Sequence, residues 1–266
     1  MASEQVQEDR SQERRYQFNL EDRTFTKIEI QSWLDINGVP QTPWMSADRL
    51  KNEYTASKLV AERTTIPVPK PLRLEYIEGC LAMTSELVDG VPFSSLAPQI
   101  RSLPYLDDYV QTFVLPQLKL LKSHTYGTID GAVLPPRRVF DNYPGRQWFP
   151  RKSKEEEYHF THNDLSQHNF LCDRHTGEVI AVIDWEFAGF YPGYFEAPLW
   201  RASYDEIEDD EDEIGQLLHF LESPNTSHTT RCVNNYQYSP TPTNNCWIRA
   251  GTSGFTTTGG TSRVLA

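Results

Sequence analysis

The chain has 266 residues, 38% of them hydrophobic and 12% aromatic, enough to bury a core in one large domain or two lobes. Its formal net charge of -12 argues against a nucleic-acid or anionic-membrane surface, which needs basic patches. Four cysteines with no CxxC pair, no apolar run of membrane-spanning length and a charged start at Met1–Arg15 without the apolar stretch of a secretory signal point to a cytoplasmic protein with reduced thiols and no membrane partner.

Residues 1–15 are rich in Glu, Gln and Arg and are expected to be disordered. Tyr16, Phe18 and Leu20, then Phe25, Ile28 and Ile30, alternate with polar residues and predict one or two strands. Asn37-Gly38, Pro40 and Pro43 make 31–46 mostly loop. A helix is expected over 47–63, with Leu50, Tyr54, Leu59 and Val60 as its apolar stripe and Ser46 or Asp48 as its cap. Pro67 and Pro69 end it. Leu72–Tyr76 and Leu81–Val88 read as two strands turning at Glu78-Gly79.

Past the turn at Asp89-Gly90 the period becomes helical from Tyr105 to His124, with a kink or break expected at Pro116. A long turn-rich insertion occupies 125–157. Short strands follow at Tyr158–Phe160, Phe170–Cys172 and Val179–Ile183, then a strongly acidic run at 205–213 and a short helix at 214–221. From 223 to 266 the composition turns to Ser, Thr, Asn, Gly and Pro, and this tail is expected to be disordered. The mean hydropathy of -0.58 fits a folded body with polar ends.

The chemistry is concentrated in His162-Asn163-Asp164-Leu165-Ser166-Gln167-His168-Asn169 and in the apolar run that ends at Asp184. Phosphoryl transfer needs a carboxylate that takes the proton of the attacking hydroxyl, here Asp164. It also needs oxygen ligands for magnesium on the nucleotide phosphates, here Asn169 and Asp184. All three fall at the ends of short strands, where they can share one pocket. His162 is expected to shape the loop by hydrogen bonding, and His168 to be an exposed loop residue.

These motifs, together with Trp185-Glu186 after the second Asp, Glu86-Leu87-Val88-Asp89-Gly90 and Ala188-Gly189-Phe190-Tyr191-Pro192, resemble the aminoglycoside phosphotransferase and choline kinase family, in particular fungal members. The resemblance covers roughly residues 16–222. It implies an α+β, protein-kinase-like fold of two lobes. Residues 16–88 would form a small lobe with an antiparallel sheet and one helix, and 89–222 a mainly helical lobe, shortened at its end. It implies ATP and Mg2+ as cofactors and a small-molecule hydroxyl as the phosphate acceptor, with no nucleic acid as partner; no protein partner is legible. The adenine would lie against the backbone of Ser85, Glu86, Leu87 and Val88. Glu53 would pair with a lysine on the phosphates, for which Lys27 is the best placed and Lys51 and Lys58 the poorer candidates. Glu196 would match an acidic anchor that follows the metal Asp. No glycine precedes Gly38, so the glycine-rich phosphate-covering loop is not visible. An inactive kinase-like binding module is the alternative.

Overall fold

The computed structural model of the chain describes residues 6–11, 14–143, 145–154, 158–203 and 210–223. Strands β1 (Val6–Arg10), β2 (Arg14–Asn19) and β3 (Thr24–Glu29) are joined by β6 (Pro71–Ile77) and β7 (Cys80–Glu86) into one antiparallel sheet of order β1-β2-β3-β7-β6. A two-strand ladder, β4 (Trp33–Leu34) with β5 (Pro40–Gln41), lies between β3 and the helix α1 (Ser46–Arg63).

The expectation of a disordered 1–15 fails at β1. Gln7, Glu8 and Asp9 are exposed and carry no apolar period. The strand forms because its backbone pairs with β2, from Val6 opposite Asn19 to Arg10 opposite Arg15. Between β2 and β3 the chain turns without glycine. The Asn19 side chain accepts from the N–H groups of Glu21 and Asp22 at 3.1 and 3.0 Å, and Arg23 takes the left-handed conformation at φ 52°.

The start of α1 also differs from expectation. Met45, at φ 51°, occupies the N-cap without a side-chain bond. Ser46 is instead bonded by Arg14, whose Nη1 donates to its hydroxyl at 2.5 Å. The helix buries Ala56 and Val60 in a core shared with Phe93, Leu106, Val110, Phe160, Phe170, Val182 and Trp185, all from later in the chain. Each large side chain so buried contributes about 1.5–3 kcal/mol.

Residues 87–90 lead from the sheet to β8 (Val91–Pro92). A helical rod follows: α2 (Leu103–Tyr109), a π-helical stretch (Val110–Val114) and α3 (Leu115–Leu120). Pro116 cannot donate to the preceding turn, and the widened turn just before it is how the expected break is accommodated. Val110, Val114 and Leu118, four apart, face the core. Then come β9 (Lys122–Ser123), α4 (Arg137–Asn142), β10 (Tyr158–Thr161), β11 (Phe170–Cys172), β12 (Val179–Val182), β13 (Gly189–Tyr191) and α5 (Glu211–Glu222).

These strands make two small antiparallel sheets, β13-β10-β9 and β12-β11-β8, so the second lobe combines its short helices with β-structure. Both α4, inside the turn-rich insertion, and β13 go beyond the sequence reading. The final helix starts three residues earlier than expected. The Asp210 side chain accepts from the N–H groups of Asp212 and Glu213, and the acids of the first turn suit the positive end of the helix. Tyr204, part of the acidic run (205–209) and the tail after Ser223 lie outside the described residues. Cys80 and Cys172 are free thiols. Among the described residues no helix is long and apolar enough to cross a membrane.

Candidate functional site

Lys27 lies on β3 directly opposite Met83 of β7, so its side chain projects on the face that α1 covers. Its ammonium donates to Glu53 Oε1 at 2.7 Å and to Asp184 Oδ1 at 2.9 Å. Three residues far apart in sequence thus meet at one point, because α1 and the β11–β12 hairpin pack into the same core. Of the other lysines weighed, Lys51 makes an exposed pair with Asp130 at 3.6 Å, and Lys58 is exposed.

Burial works against the Lys27 ammonium, but Asp184 and Glu53 outweigh it and hold its pKa above the ordinary value. For Asp184 burial also opposes ionisation, and Lys27 and Arg137 overcome it, so this carboxyl stays well below the usual range. Burial pushes Glu53 up to about 7 against the pull of Lys27. Its second oxygen, Oε2, has no hydrogen-bond partner.

Lys27 and Glu53 belong to the wall of a cleft that also includes Phe18, Phe25, Met83, Leu171 and Asp184. Ser85, Glu86, Leu87 and Val88 line the same cleft. Ser85 and Glu86 end β7, while Leu87 and Val88 lie past the strand. The N–H of Glu86 is bonded to Lys70 O and that of Leu87 to Arg23 O.

Asp164 sits in the loop after β10, and Asn169 in the short 3-10 turn that opens β11. Asp184 follows β12 in the left-handed conformation, φ 65°. Phe170 pairs with Val182, and Ile183 N donates to Asn169 O at 2.9 Å, which puts Asn169 and Asp184 at the same end of one hairpin. Asn169 Nδ2 donates to Asp164 O at 2.7 Å. The three residues proposed from the motif are therefore gathered in one place.

His162 sets the spacing of the two loops. Its Nδ1 accepts from the N–H of Asp164 at 3.2 Å, so the proton lies on Nε2, which donates to Ile183 O at 2.9 Å. Burial lowers its pKa to about 4 and keeps the ring neutral. The Asn163 side chain donates to Phe187 O and adds a second tie. Beneath the loop the Glu196 carboxylate accepts from the N–H groups of His162 and Asn163 at 2.5 and 3.1 Å. His168, expected to be exposed, is half-buried, with Nε2 3.1 Å from Ser166 Oγ.

Burial pushes the Asp164 carboxyl up to about 7, against Arg137, whose Nη1 is 3.6 Å from Oδ2. Ser166 donates to Oδ1 at 3.3 Å, and Oδ2 has no hydrogen bond. A carboxylate with one bare oxygen and a pKa near neutrality can take a proton from a bound hydroxyl.

Motif reading did not reveal the ion pairs around Glu186. Arg14 reaches one carboxylate oxygen at 3.1 Å and Arg49 the other at 3.2 Å. The Asn52 side chain donates to the backbone oxygens of Glu186 and Ala188. These contacts lock β2 and α1 onto the segment after Asp184. Only the letters Trp185-Glu186 hinted at a special position there.

Oxygen atoms of Glu53, Asp184 and Glu186 lie within 4.8 Å of one another, a donor set suited to a hard cation. Asn169 spends its amide N–H groups on Asp164 O and Ser166 Oγ, so any contact it makes with a cation would be through the amide oxygen.

No curated protein matches the chain. Among solved structures, aminoglycoside phosphotransferase APH(3'')-Id from Streptomyces rimosus is 14% identical, with 82% of this chain and 92% of that chain covered and a TM-score of 0.48. A thermostable mutant of APH(4)-Ia, in ternary complex with AMP-PNP and hygromycin B, is 16% identical over 72% of this chain and 69% of that chain, with a TM-score of 0.45. The segment that carries Asp164, Asn169, Asp184 and Glu196 is the one with a family match: residues 134–225 match the phosphotransferase enzyme family.

Proposed function

We propose that the chain is a phosphotransferase that moves the γ-phosphoryl group of ATP, with magnesium, onto a hydroxyl of a small molecule. The observation that carries this reading is the Lys27 ammonium held between Glu53 and Asp184 in a cleft also lined by Ser85–Val88. Residues 16–88 would supply the nucleotide side and 89–222 the side of chemistry.

In this reading the adenine lies along the 85–88 backbone, and Lys27 turns from Asp184 toward the phosphates while keeping Glu53. Asn169 and Asp184 would hold magnesium, which when bound neutralises charge on the phosphates. Asp164 orients the acceptor hydroxyl and takes its proton on Oδ2. The new bond from acceptor oxygen to phosphorus forms as the bond to the ADP oxygen breaks. The family matched by 134–225 supports phosphoryl transfer.

Calorimetric titration of ATP with and without magnesium, followed by turnover over a panel of small alcohols, tests the proposal. Magnesium-dependent binding and transfer are expected, and absence of both would sink it. An inactive binding module draws support from one observation: no glycine precedes Gly38, so the turn from β1 to β2 contains none. That reading expects nucleotide binding without transfer to any acceptor.

A further inference from the structure

We infer that Arg137, at the start of α4, is a catalytic residue whose guanidinium binds the γ-phosphoryl group during transfer; the inference rests on the phosphotransferase reading above.

Four carboxylates, those of Glu53, Asp164, Asp184 and Glu186, surround the place where a triphosphate would end. The loop from Thr161 to Asn169 has no Lys or Arg of its own to offset them. Lys27 is committed to two of the carboxylates, and Arg14 and Arg49 are both committed to Glu186.

Arg137 is differently placed. Its Nε donates to Asp141 Oδ2 at 3.4 Å, which anchors the back of the fork. The contact from Nη1 to Asp164 Oδ2, 3.6 Å, is an ion pair too long for a hydrogen bond. Among the described residues its two terminal nitrogens donate to nothing, and the side chain keeps 34% of its exposure, against 5% for Asp164. The charge of Arg137 acts most strongly on Asp164, the proposed base, and more weakly on Asp184, the proposed metal ligand.

A planar fork with free donors in that position matches two oxygens of a phosphoryl group. The charge that gathers on those oxygens in the transition state is what an arginine supplied within the same chain stabilises. The Oδ2 of Asp164, buried and without a hydrogen bond, is the atom left to take the proton of an acceptor hydroxyl. Arg137 then touches the group in flight while Asp164 holds its acceptor. Loss of one such donor lowers turnover on the order of 100- to 1000-fold.

The test compares equilibrium binding of Mg-ATP and Mg-ADP to the full chain and to Arg137→Ala and Arg137→Lys. The wild type is expected to favour ATP. Arg137→Ala should lose about 10-fold in ATP affinity with ADP affinity unchanged, and Arg137→Lys should recover part of it. If Arg137→Ala does not fold, Arg137→Gln, which keeps the stem, carries the same comparison. An unchanged ATP-to-ADP ratio in a folded variant, or a wild type without preference for ATP, overturns the inference. A wild type that binds neither nucleotide removes the phosphotransferase reading itself.

Discussion

Asp164 and Asp184 belong to two loops that hydrogen bonds through Asn169 bring together, and they hold protons in opposite ways. On the side proposed for the nucleotide, Asp184 receives a hydrogen bond from Lys27 at 2.9 Å and stays ionised. On the side proposed for the acceptor, the cation nearest Asp164 among the described residues is Arg137 at 3.6 Å without a hydrogen bond, and burial prevails. The difference comes from one short charge-assisted bond against one long contact. It suits a division of labour in which one carboxylate stays charged to hold a cation and the other titrates near neutrality to take a proton.

The largest effect should come from removing the acceptor-side carboxylate. Asp164→Asn keeps the volume and loses the proposed base, so turnover is expected to fall by about 100- to 10,000-fold. Calorimetry should give an ATP affinity close to wild type. A turnover within a factor of three of wild type would break the assignment of the two sides.

On the nucleotide side the main consequence is for stability. Lys27→Met leaves Glu53 and Asp184 buried without their cation, and breaking such a pair costs about 3–5 kcal/mol. Urea unfolding measures it directly. A loss under 1 kcal/mol would mean that water reaches the carboxylates and that the site is more open than these contacts describe.

The two aspartates also predict opposite responses to pH. Asp164 has its folded pKa raised from 3.8 to about 7. Between those values the folded state holds a proton that the unfolded state has lost, so stability falls as pH rises through the window. Asp184 has its pKa depressed, so its contribution is present above 3.8 and is lost as pH falls below that. Asp164→Asn removes only the first effect. Relative to wild type, this variant should therefore gain stability between pH 4 and pH 8, measured as the difference in urea midpoints. Glu53, raised to about 7 by burial, acts the same way in both proteins and cancels, whereas Glu196, raised to about 7 by burial with the Asp164 charge adding to the rise, loses that smaller part in the variant and shifts the difference in the same direction. Turnover by wild type should rise with pH through an inflection near 7.

Much of this site is legible in the chain because its parts are local. Asp164 and Asn169 are five residues apart, and Asp184 ends an apolar run that reads as a strand. Lys27 and Glu53 were approachable because a strand and a helix each have a period. What escaped reading depends on packing between distant segments. Strand β1 has Gln, Glu and Asp in place of an apolar pattern, and its backbone bonds to β2 make it a strand. Arg137 lies in a stretch whose prolines and glycine suggest turns, and its nearness to Asp164 follows from where α4 docks. Arg14 and Arg49 are ordinary surface-type residues until Glu186 draws them in.

Support beneath the acceptor-side loop is a smaller term. Glu196 accepts two backbone N–H groups, and Glu196→Gln keeps one acceptor while losing the charge. A loss of about 1–3 kcal/mol is expected, with a lower turnover and an ATP affinity left as it was, since the nucleotide side does not depend on this loop. Equal damage to ATP binding would show that the two sides are not separable.

The smallest effect belongs to a pair of the same chemistry placed outside the cleft. Arg174 and Asp89 are 3.3 Å apart beside the 87–90 connection, with side-chain exposures of 39% and 59%. Water solvates both ions whether or not they touch, and salt screens what attraction remains. Arg174→Ala should therefore change stability by no more than about 0.5 kcal/mol and leave turnover as it is. Set beside Lys27→Met, it separates burial from charge as the cause of the large effect. If Arg174→Ala cost as much as Lys27→Met, the enclosure of the Lys27 cluster would no longer explain why its charges matter.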